Sequence, residues 1–291
     1  MPDGLVPVRH IARLREAVGD LRRTHGRIAL VPTMGALHEG HLTLVELAKL
    51  RADAVCVSLF VNPTQFAPGE DLARYPRDEA GDAAKLAARG AALLWAPEAA
   101  EMYTEGFATR VVVEGPALGL ETDFRPHFFA GVATVVTKLL LQVQPDVAVF
   151  GEKDYQQLQV VRRLVRDLDI PVEIVAGPTV READGLAMSS RNAYLSPQDR
   201  GRAPALHRAL AAAGAAALAG LAPAAAEAEA AAALAAAGFA SVDYVAIRHA
   251  ETLATVSAGD IAAGAPLRVL GAARLGTTRL IDNLDPRAAG T

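Results

Sequence analysis

The 291-residue chain is 52% hydrophobic and 21% charged with a net charge of −4, a composition typical of globular proteins that lack a basic nucleic-acid-binding surface. Its length allows two domains or one large one, and its single cysteine, Cys56, excludes an intrachain disulfide and a cysteine-based zinc site. The sequence has no signal-peptide pattern and no strongly apolar run of membrane-spanning length, so we predict a cytoplasmic protein without membrane contact.

Apolar runs alternate with helix-like segments through the first two-thirds of the chain. The predicted strands are 28–31, 54–61, 91–95, 110–113, 147–150 and 172–175, and the predicted helices are 42–50, 78–89, 132–142 and 155–167. This alternation predicts a Rossmann-like α/β domain, in which helices cover both faces of a parallel sheet. Ligands in such sheets bind beyond the carboxyl ends of the strands.

The last third of the chain has a different composition. Residues 200–240 are rich in alanine and predict two helices that are interrupted near 220–223. Three strands are then predicted at 242–247, 267–274 and 278–281. We therefore predict a Rossmann-like domain at 1–180 and a smaller C-terminal α+β domain at 181–291.

The first candidate site lies between the first predicted strand and the helix that follows it. The segment 34–41 reads MGALHEGH, in which Gly35 and Gly40 permit close approach of a ligand to the backbone. His38 and His41 are three residues apart and share one helix face, at a helix N-terminus that favours anions. This pattern resembles the His-x-Gly-His signature of adenylyl-transferring nucleotidyltransferases, although alone it also fits solvated histidines or a weak metal site.

Three further polar segments follow predicted strands or lie at the domain junction. They are 62–65 (NPTQ), 151–157 (GEKDYQQ) and 188–191 (MSSR). The first offers two amides for a hydroxyl or carboxylate, the second a lysine for phosphate, and the third several donors that can surround phosphates. Each alone also fits an ordinary turn, a capped helix or a polar loop.

Taken together, these segments resemble the pantothenate synthetase (pantoate–β-alanine ligase) family of the His-x-Gly-His nucleotidyltransferases over nearly the whole chain. The similarity rests on 32–41, 60–66, 151–157, 188–192 and 275–283. It implies ATP-dependent joining of pantoate to β-alanine through a pantoyl-adenylate, with AMP and pyrophosphate released and Mg²⁺ required. It also implies a homodimer, a nucleotide- and pantoate-binding catalytic domain at 1–180, and a smaller domain at 181–291 that closes as a lid over the active site.

The resemblance also implies a role for individual residues. ATP contacts are implied for Met34, His38, His41, Gly151, Lys153, Asp154, Met188, Ser189, Ser190 and Arg191. Six of these are expected to be catalytic, namely His38, His41, Lys153, Ser189, Ser190 and Arg191. Pantoate contacts are implied for Met34, Asn62, Gln65 and Gln157, and no protein ligand to a metal is assigned.

One loop departs from the family pattern. Family members usually read Arg-Pro-x-His-Phe-x-Gly-Val, whereas 125–132 reads RPHFFAGV, so Phe128 takes the histidine position and His127 precedes it. Arg125 keeps its position, and a site role for Arg125 or His127 stays open. Thr64, where many relatives carry methionine, is a second and milder difference in the expected pantoate pocket.

Two other functions stay open at this point. Another nucleotidyltransferase of the same type would share the His-x-Gly-His segment, although the segments 62–65 and 151–157 favour pantothenate synthesis. A non-catalytic nucleotide-binding protein is the second alternative. Four intact residues argue against it, namely His38, His41, Lys153 and Arg191. ATP binding without AMP release would distinguish it from the enzymes.

Overall fold

The computed structural model describes residues 5–67 and 69–288. Within them the chain divides into two compact units, and the range names include the few residues that are not described. The first unit comprises Met1–Val113, Arg125–Glu152 and Val160–Pro178, and the second comprises Glu114–Phe124, Lys153–Gln159 and Thr179–Thr291. The functional division at residue 180 stays a prediction. No described helix has the length and apolarity needed to cross a membrane.

A six-stranded parallel sheet forms the centre of the first unit. Its strands are β1 (Pro7–Val8), β2 (Ile28–Thr33), β3 (Ala54–Leu59), β4 (Leu93–Trp95), β5 (Val147–Gly151) and β6 (Glu173–Gly177). Their order is β1-β4-β3-β2-β5-β6, and every pairing is parallel. The chain order reverses between β2 and β5, which is where ligands bind in sheets of this kind.

Helices cover both faces of this sheet. The first unit contains α1 (Ile11–His25), α2 (Glu39–Lys49), α3 (Glu79–Ala88), α4 (Ala99–Met102), α6 (Phe128–Val143) and most of α7 (Tyr155–Asp167), whereas α5 (Glu121–Phe124) belongs to the second unit. Alternate strand residues such as Ala29, Val31 and Val57 form a buried cluster with Leu44 and Val45 of α2. Helices α1 and α6 pack together and against other parts of the sheet. Burial on both faces explains why the strands are almost continuously apolar.

The predicted parallel sheet is confirmed, but the strand predicted at 110–113 is wrong. That segment has no regular structure, and the backbone N–H of Val111 donates to Oγ1 of Thr134 on α6 at 3.0 Å. Val112 is 66% exposed. The run of valines has no strand partner in the described part of the chain, and one of its backbone donors bonds to a helix side chain instead.

The second unit is an α+β structure, as predicted. Its strands β7 (Ser241–His249), β8 (Leu267–Leu275) and β9 (Thr278–Leu284) form an antiparallel sheet in that order, and its helices are α8 (Pro197–Arg202), α9 (Ala205–Leu218), α10 (Pro223–Ala236) and α11 (Ala258–Ala262). Helix α9 packs directly on β8. A Cβ added at Gly271 would lie 2.7 Å from Cδ2 of Leu210, so glycine lets the helix approach the strand without displacing this leucine.

Candidate active site

The loop between β2 and α2 is fixed by a buried carboxylate from α3. Oδ1 of Asp82, which is 1% exposed, accepts from the Leu37 N–H at 2.8 Å. Nζ of Lys85 donates to the Leu37 carbonyl at 2.9 Å. Gly35 has φ +84°, a conformation that favours glycine, and an added Cβ would lie 3.3 Å from Oδ2 of Asp82. Side chains of α3 therefore bond both the N–H and the carbonyl of Leu37, the residue directly before His38.

The two histidines lie together at the N-terminus of α2. His38 is the N-cap residue, and the ring centroids of His38 and His41 are 4.1 Å apart. Nδ1 of His41 accepts from the His38 backbone N–H at 3.4 Å. A neutral imidazole that accepts at Nδ1 carries its proton on Nε2, so His41 can donate from Nε2. Together with the first-turn N–H groups, this arrangement suits an anionic oxygen.

The two side-chain amides that are predicted to contact pantoate, those of Asn62 and Gln65, follow β3. Asn62 precedes the 3-10 turn Pro63–Gln65, and its Nδ2 donates to Oε1 of Gln65 at 2.8 Å. Asn62 and Gln65 are buried, whereas Met34, which is predicted to contact both substrates, is half-buried. The structure therefore brings the two amides together as a hydrogen-bonded pair.

The glycine at the end of β5 is not required by the packing of the first unit. A Cβ added at Gly151 would have only Leu44 Cδ1 nearby, at an ordinary 3.7 Å. At Gly177, the paired residue on β6, the added Cβ would lie only 2.1 Å from Cδ2 of Leu44. The packing therefore leaves room for a side chain at Gly151, whereas a side chain at Gly177 would have to displace Leu44.

In the second unit, Lys153 is anchored through its backbone. Its carbonyl accepts from Nδ2 of Asn283 at 2.8 Å, and Oδ1 of Asn283 accepts from Nε of Arg268 at 2.6 Å. The Arg268 guanidinium lies over the Tyr155 ring, 4.1 Å from its centroid. The structure shows no ion pair for the Lys153 ammonium among the described residues. Its charge is therefore available to a ligand.

The two adjacent glutamines on α7 have different environments. Gln156 is buried, accepts from the Glu121 N–H at 3.1 Å and donates to the carbonyls of Pro116 and Gly119. It therefore holds the segment before α5 in place. Gln157 is half-buried, as is Asp154. Of the two glutamines, Gln157 is the one whose polar atoms are not used by the described part of the fold.

The four residues 188–191 follow a short hairpin. Glu182 N–H donates to the Leu186 carbonyl at 2.8 Å, and the Met188 N–H donates to the Val180 carbonyl at 2.9 Å. Ser189 then caps a 3-10 turn, Ser190–Tyr194, by accepting from the Arg191 N–H at 3.3 Å. The hairpin thus fixes the position of the backbone that leads into Ser189, Ser190 and Arg191.

A buried ion pair holds this hairpin within the second unit. Arg181 donates to Oδ2 and Oδ1 of Asp282 at 2.7 and 3.0 Å and to the Gly185 carbonyl at 3.0 Å. Nδ1 of His207 lies 3.4 Å from Oδ2 of Asp282. Burial raises the pKa of Asp282, but the contacts with His207 and Arg181 outweigh it, so this pKa lies below its usual value.

The loop that departs from the family pattern has a structural function in the first unit. Arg125 makes two hydrogen bonds to Glu70, at 2.8 and 2.7 Å, and donates to the Gln65 carbonyl at 2.8 Å. Its guanidinium lies 4.0 Å from the centroid of the Phe128 ring. Burial raises the pKa of Glu70, but Arg125 outweighs this and lowers it. Nε2 of His127 is buried without a hydrogen bond to the described residues.

Sequence reasoning did not identify several of the residues that hold the candidate site. Asp82 and Arg181 lie outside the matched segments, and no local pattern distinguishes them, whereas Gln156 lies in the matched segment 151–157 but was given no role. Asp282 and Asn283 do belong to the matched segment 275–283, so that segment was the available signal. The individual ATP and pantoate contacts stay predictions.

The chain is similar to proteins of known family along almost its entire length. The model of a family described as pantoate–β-alanine ligase matches residues 7–285. A pantothenate synthetase of Rhodopseudomonas palustris (strain HaA2) is 58% identical over 285 residues, which cover 98% of this chain and 99% of the relative. A pantothenate synthetase of Caulobacter vibrioides is 58% identical over 277 residues, which cover 95% and 97%.

Solved structures give the same result. The pantothenate synthetase of Thermus thermophilus superimposes with a TM-score of 0.88 at 52% identity, covering 97% of this chain and 99% of that one. A pantoate–β-alanine ligase of Francisella tularensis, complexed with beta-gamma ATP and beta-alanine, gives a TM-score of 0.81 at 31% identity, covering 97% and 98%.

Proposed function

Because the chain belongs to the pantoate–β-alanine ligase family, we propose that it forms pantothenate from pantoate and β-alanine through a pantoyl-adenylate, cleaving ATP to AMP and pyrophosphate. The observation that carries this proposal is the family match over residues 7–285. The ligands of the Francisella tularensis relative, beta-gamma ATP and beta-alanine, also support it. The two imidazoles at the start of α2, whose ring centroids are 4.1 Å apart, also support it, because imidazole N–H groups can donate to phosphate oxygens.

In the first step, a carboxylate oxygen of pantoate attacks the α-phosphorus of ATP, and the bond from that phosphorus to the pyrophosphate oxygen breaks. The carboxylate is already ionised at neutral pH, so this step needs no general base. It needs alignment of the reacting atoms and neutralisation of the charge that develops on the phosphates. We assign these functions to six residues, His38, His41, Lys153, Ser189, Ser190 and Arg191, with further ATP contacts from Met34, Gly151, Asp154 and Met188.

In the second step, the neutral amine of β-alanine attacks the acyl carbon, and the bond from that carbon to the AMP oxygen breaks. The amine loses a proton as the amide forms. Pantoate stays in place through contacts that we assign to Met34, Asn62, Gln65 and Gln157. No covalent enzyme intermediate is needed, and the single cysteine, Cys56, is buried in β3, where burial raises the pKa of its thiol to about 12.

Mg²⁺ is part of the proposal as a companion of ATP. Among the described residues, no group of three or more His, Cys, Asp or Glu side chains could hold a metal ion. Mg²⁺ is commonly held by one or two carboxylates together with substrate phosphates, and Asp154 is the only carboxylate among the assigned ATP contacts. A bound ion would add positive charge beside the phosphates.

Three further parts complete the proposal. A homodimer and a lid function for residues 181–291 rest on the family resemblance, and a cytoplasmic location is the one predicted from the sequence. Sedimentation of the purified protein, with a monomer mass of 30.4 kDa, tests the first of them. A single species at the monomer mass across micromolar concentrations would contradict the dimer.

The deciding experiment measures AMP and pyrophosphate release from ATP and Mg²⁺ with D-pantoate, with and without β-alanine. Multiple-turnover AMP release that requires both substrates and yields pantothenate is the expected result. ATP binding without AMP release would instead favour a non-catalytic nucleotide-binding protein. Turnover with a different acceptor would favour another nucleotidyltransferase of the same type.

A further inference from the structure

The side-chain amide of Asn62 is fully hydrogen-bonded inside the first unit. Its Oδ1 accepts from the Tyr103 hydroxyl at 2.7 Å, from the Thr64 hydroxyl at 2.9 Å and from the Thr64 N–H at 3.3 Å. Its Nδ2 donates to Oε1 of Gln65 at 2.8 Å and to the Gly131 carbonyl at 3.2 Å. Because Asn62 is only 1% exposed, this pattern is independent of solvent.

Two of these partners distinguish the oxygen of the Asn62 side-chain amide from its nitrogen. A backbone N–H can only donate and a backbone carbonyl can only accept, so the Thr64 N–H identifies Oδ1 and the Gly131 carbonyl identifies Nδ2. Both of these bonds are long. The two hydroxyl bonds to Oδ1 are shorter, and because a hydroxyl can either donate or accept, they hold the orientation that the two backbone groups set. Burial raises the pKa of Tyr103, which keeps its hydroxyl protonated and able to donate.

The orientation of the Asn62 amide group determines the orientation of the Gln65 amide group. Since Nδ2 of Asn62 donates to Oε1 of Gln65, the Gln65 side chain keeps only its Nε2 group for another partner. No acceptor for that Nε2 is present among the described residues. The Gln65 backbone is fixed as well, because its carbonyl accepts from Arg125. Gln65 therefore presents a hydrogen-bond donor, which suits a carboxylate or hydroxyl oxygen.

Close packing by α6 keeps this cluster together. A Cβ added at Gly131 would lie 2.5 Å from the Thr64 carbonyl oxygen, so only glycine allows the helix to approach the turn. The Tyr103 ring also packs against the rings of Phe60 and Phe107. Removal of the Tyr103 hydroxyl in Tyr103→Phe would therefore leave the ring contacts intact.

We propose that Thr64 and Tyr103 are positioning residues that orient the Asn62 amide and thereby make Gln65 a donor to an oxygen of pantoate. This inference rests on the proposed function. If the Asn62 amide group were rotated so that Oδ1 and Nδ2 exchanged places, Oδ1 would face Gln65. The Gln65 amide group would then rotate as well, so that its Nε2 donates to Oδ1 of Asn62. Gln65 would then present Oε1 to the substrate, where two acceptors repel each other.

The test compares Thr64→Val, Tyr103→Phe and the double variant with wild type in steady-state kinetics, varying each substrate in turn. The net effect of one hydrogen bond corresponds to about two- to tenfold in binding, so we expect each single variant to raise the KM for pantoate by that factor. The double variant should raise it further, with the KM for ATP within twofold of wild type. Thr64→Ser, which keeps the hydroxyl, should retain the wild-type KM for pantoate.

Two outcomes would overturn this assignment. One is a pantoate KM within twofold of wild type in the double variant, and the other is an equal rise in the KM for ATP, which would indicate general distortion. If the double variant does not fold, Thr64→Val against Thr64→Ser decides the question with the same criteria. Wild-type turnover is measured first, because its absence would contradict the proposed function itself, and this inference with it.

Discussion

At the residue scale, Lys153 combines a fixed backbone with an ammonium that has no ion pair in the described structure. Its carbonyl is held by Asn283, so the side chain starts from a defined point. A charge positioned in this way is suited to stabilise negative charge that develops on a phosphate, and a fixed charge needs little reorganisation.

We therefore expect Lys153→Ala to lower kcat by about 100- to 1000-fold, the usual effect of removing one well-placed donor to developing charge. The measurement is AMP release at saturating substrates. Lys49→Ala is the matched control, because Lys49 lies on the exposed part of α2 and pairs with Glu46. A Lys153→Ala variant that turns over as fast as the control would contradict the assignment.

Gly151 and Gly177 end adjacent strands but differ in the space around them. We expect Gly151→Ala to keep wild-type stability and to lose activity, because its added methyl group enters space that the fold leaves open. Gly177→Ala should instead lose about 1–3 kcal/mol of stability, since the methyl group would overlap Leu44. Thermal unfolding and the KM for ATP check both expectations. Unchanged kinetics in Gly151→Ala would remove Gly151 from the site.

At the element scale, the Arg181–Asp282 pair connects the hairpin before Ser189 to strand β9. Breaking a buried pair from one side leaves an uncompensated charge, which costs on the order of 3–5 kcal/mol. We expect Asp282→Ala to be destabilised by that amount, and Arg181→Lys, which keeps the charge but not the paired geometry, to be less affected. Urea unfolding gives the stabilities. Equal stabilities for wild type and Asp282→Ala would contradict this arrangement.

The strand elements show what a sequence can and cannot predict. The periodicity of apolar residues is local, and it predicted the parallel sheet and the three C-terminal strands. The residues 110–113 have the same local pattern, but strand formation needs a partner, and Val111 instead bonds to Thr134. Pairing between distant residues is not visible in a local pattern, which is why the strand prediction was wrong there.

The candidate site likewise contains residues that the sequence predicts and residues that only the fold reveals. The motif residues that end strands or begin helices, such as His38 and Gln65, are local features that the sequence displays. The residues that support them, such as Asp82 and Tyr103, come from other elements and are set by the fold. A resemblance to a family identifies positions, whereas the direction of the hydrogen bonds at Asn62 depends on residues that only the three-dimensional fold brings together.

At the scale of the whole molecule, each unit contains a carboxylate whose pKa is lowered by its contacts. In the first unit, Oδ2 of Asp146 accepts from the Ile28 N–H at 2.8 Å and from Arg22 at 2.8 Å. Burial raises the pKa of Asp146, but these contacts outweigh it and leave the pKa below its usual value. In the second unit, Asp282 has a lowered pKa for similar reasons.

Lowered pKa values of this kind make both units sensitive to acid. A carboxylate whose pKa is lower in the folded state stabilises the protein above its unfolded pKa, about 3.9 for Asp, and this stabilisation is lost as pH falls towards the folded value. We therefore expect Asp146→Asn and Asp282→Asn to be less stable than wild type at pH 7, with a smaller further loss between pH 5 and 3. Urea unfolding followed by circular dichroism at several pH values measures this. Asp123→Asn, at an exposed position, is the control and should follow wild type. If the two variants lose as much stability as wild type across that range, these carboxylates are not the source of acid sensitivity.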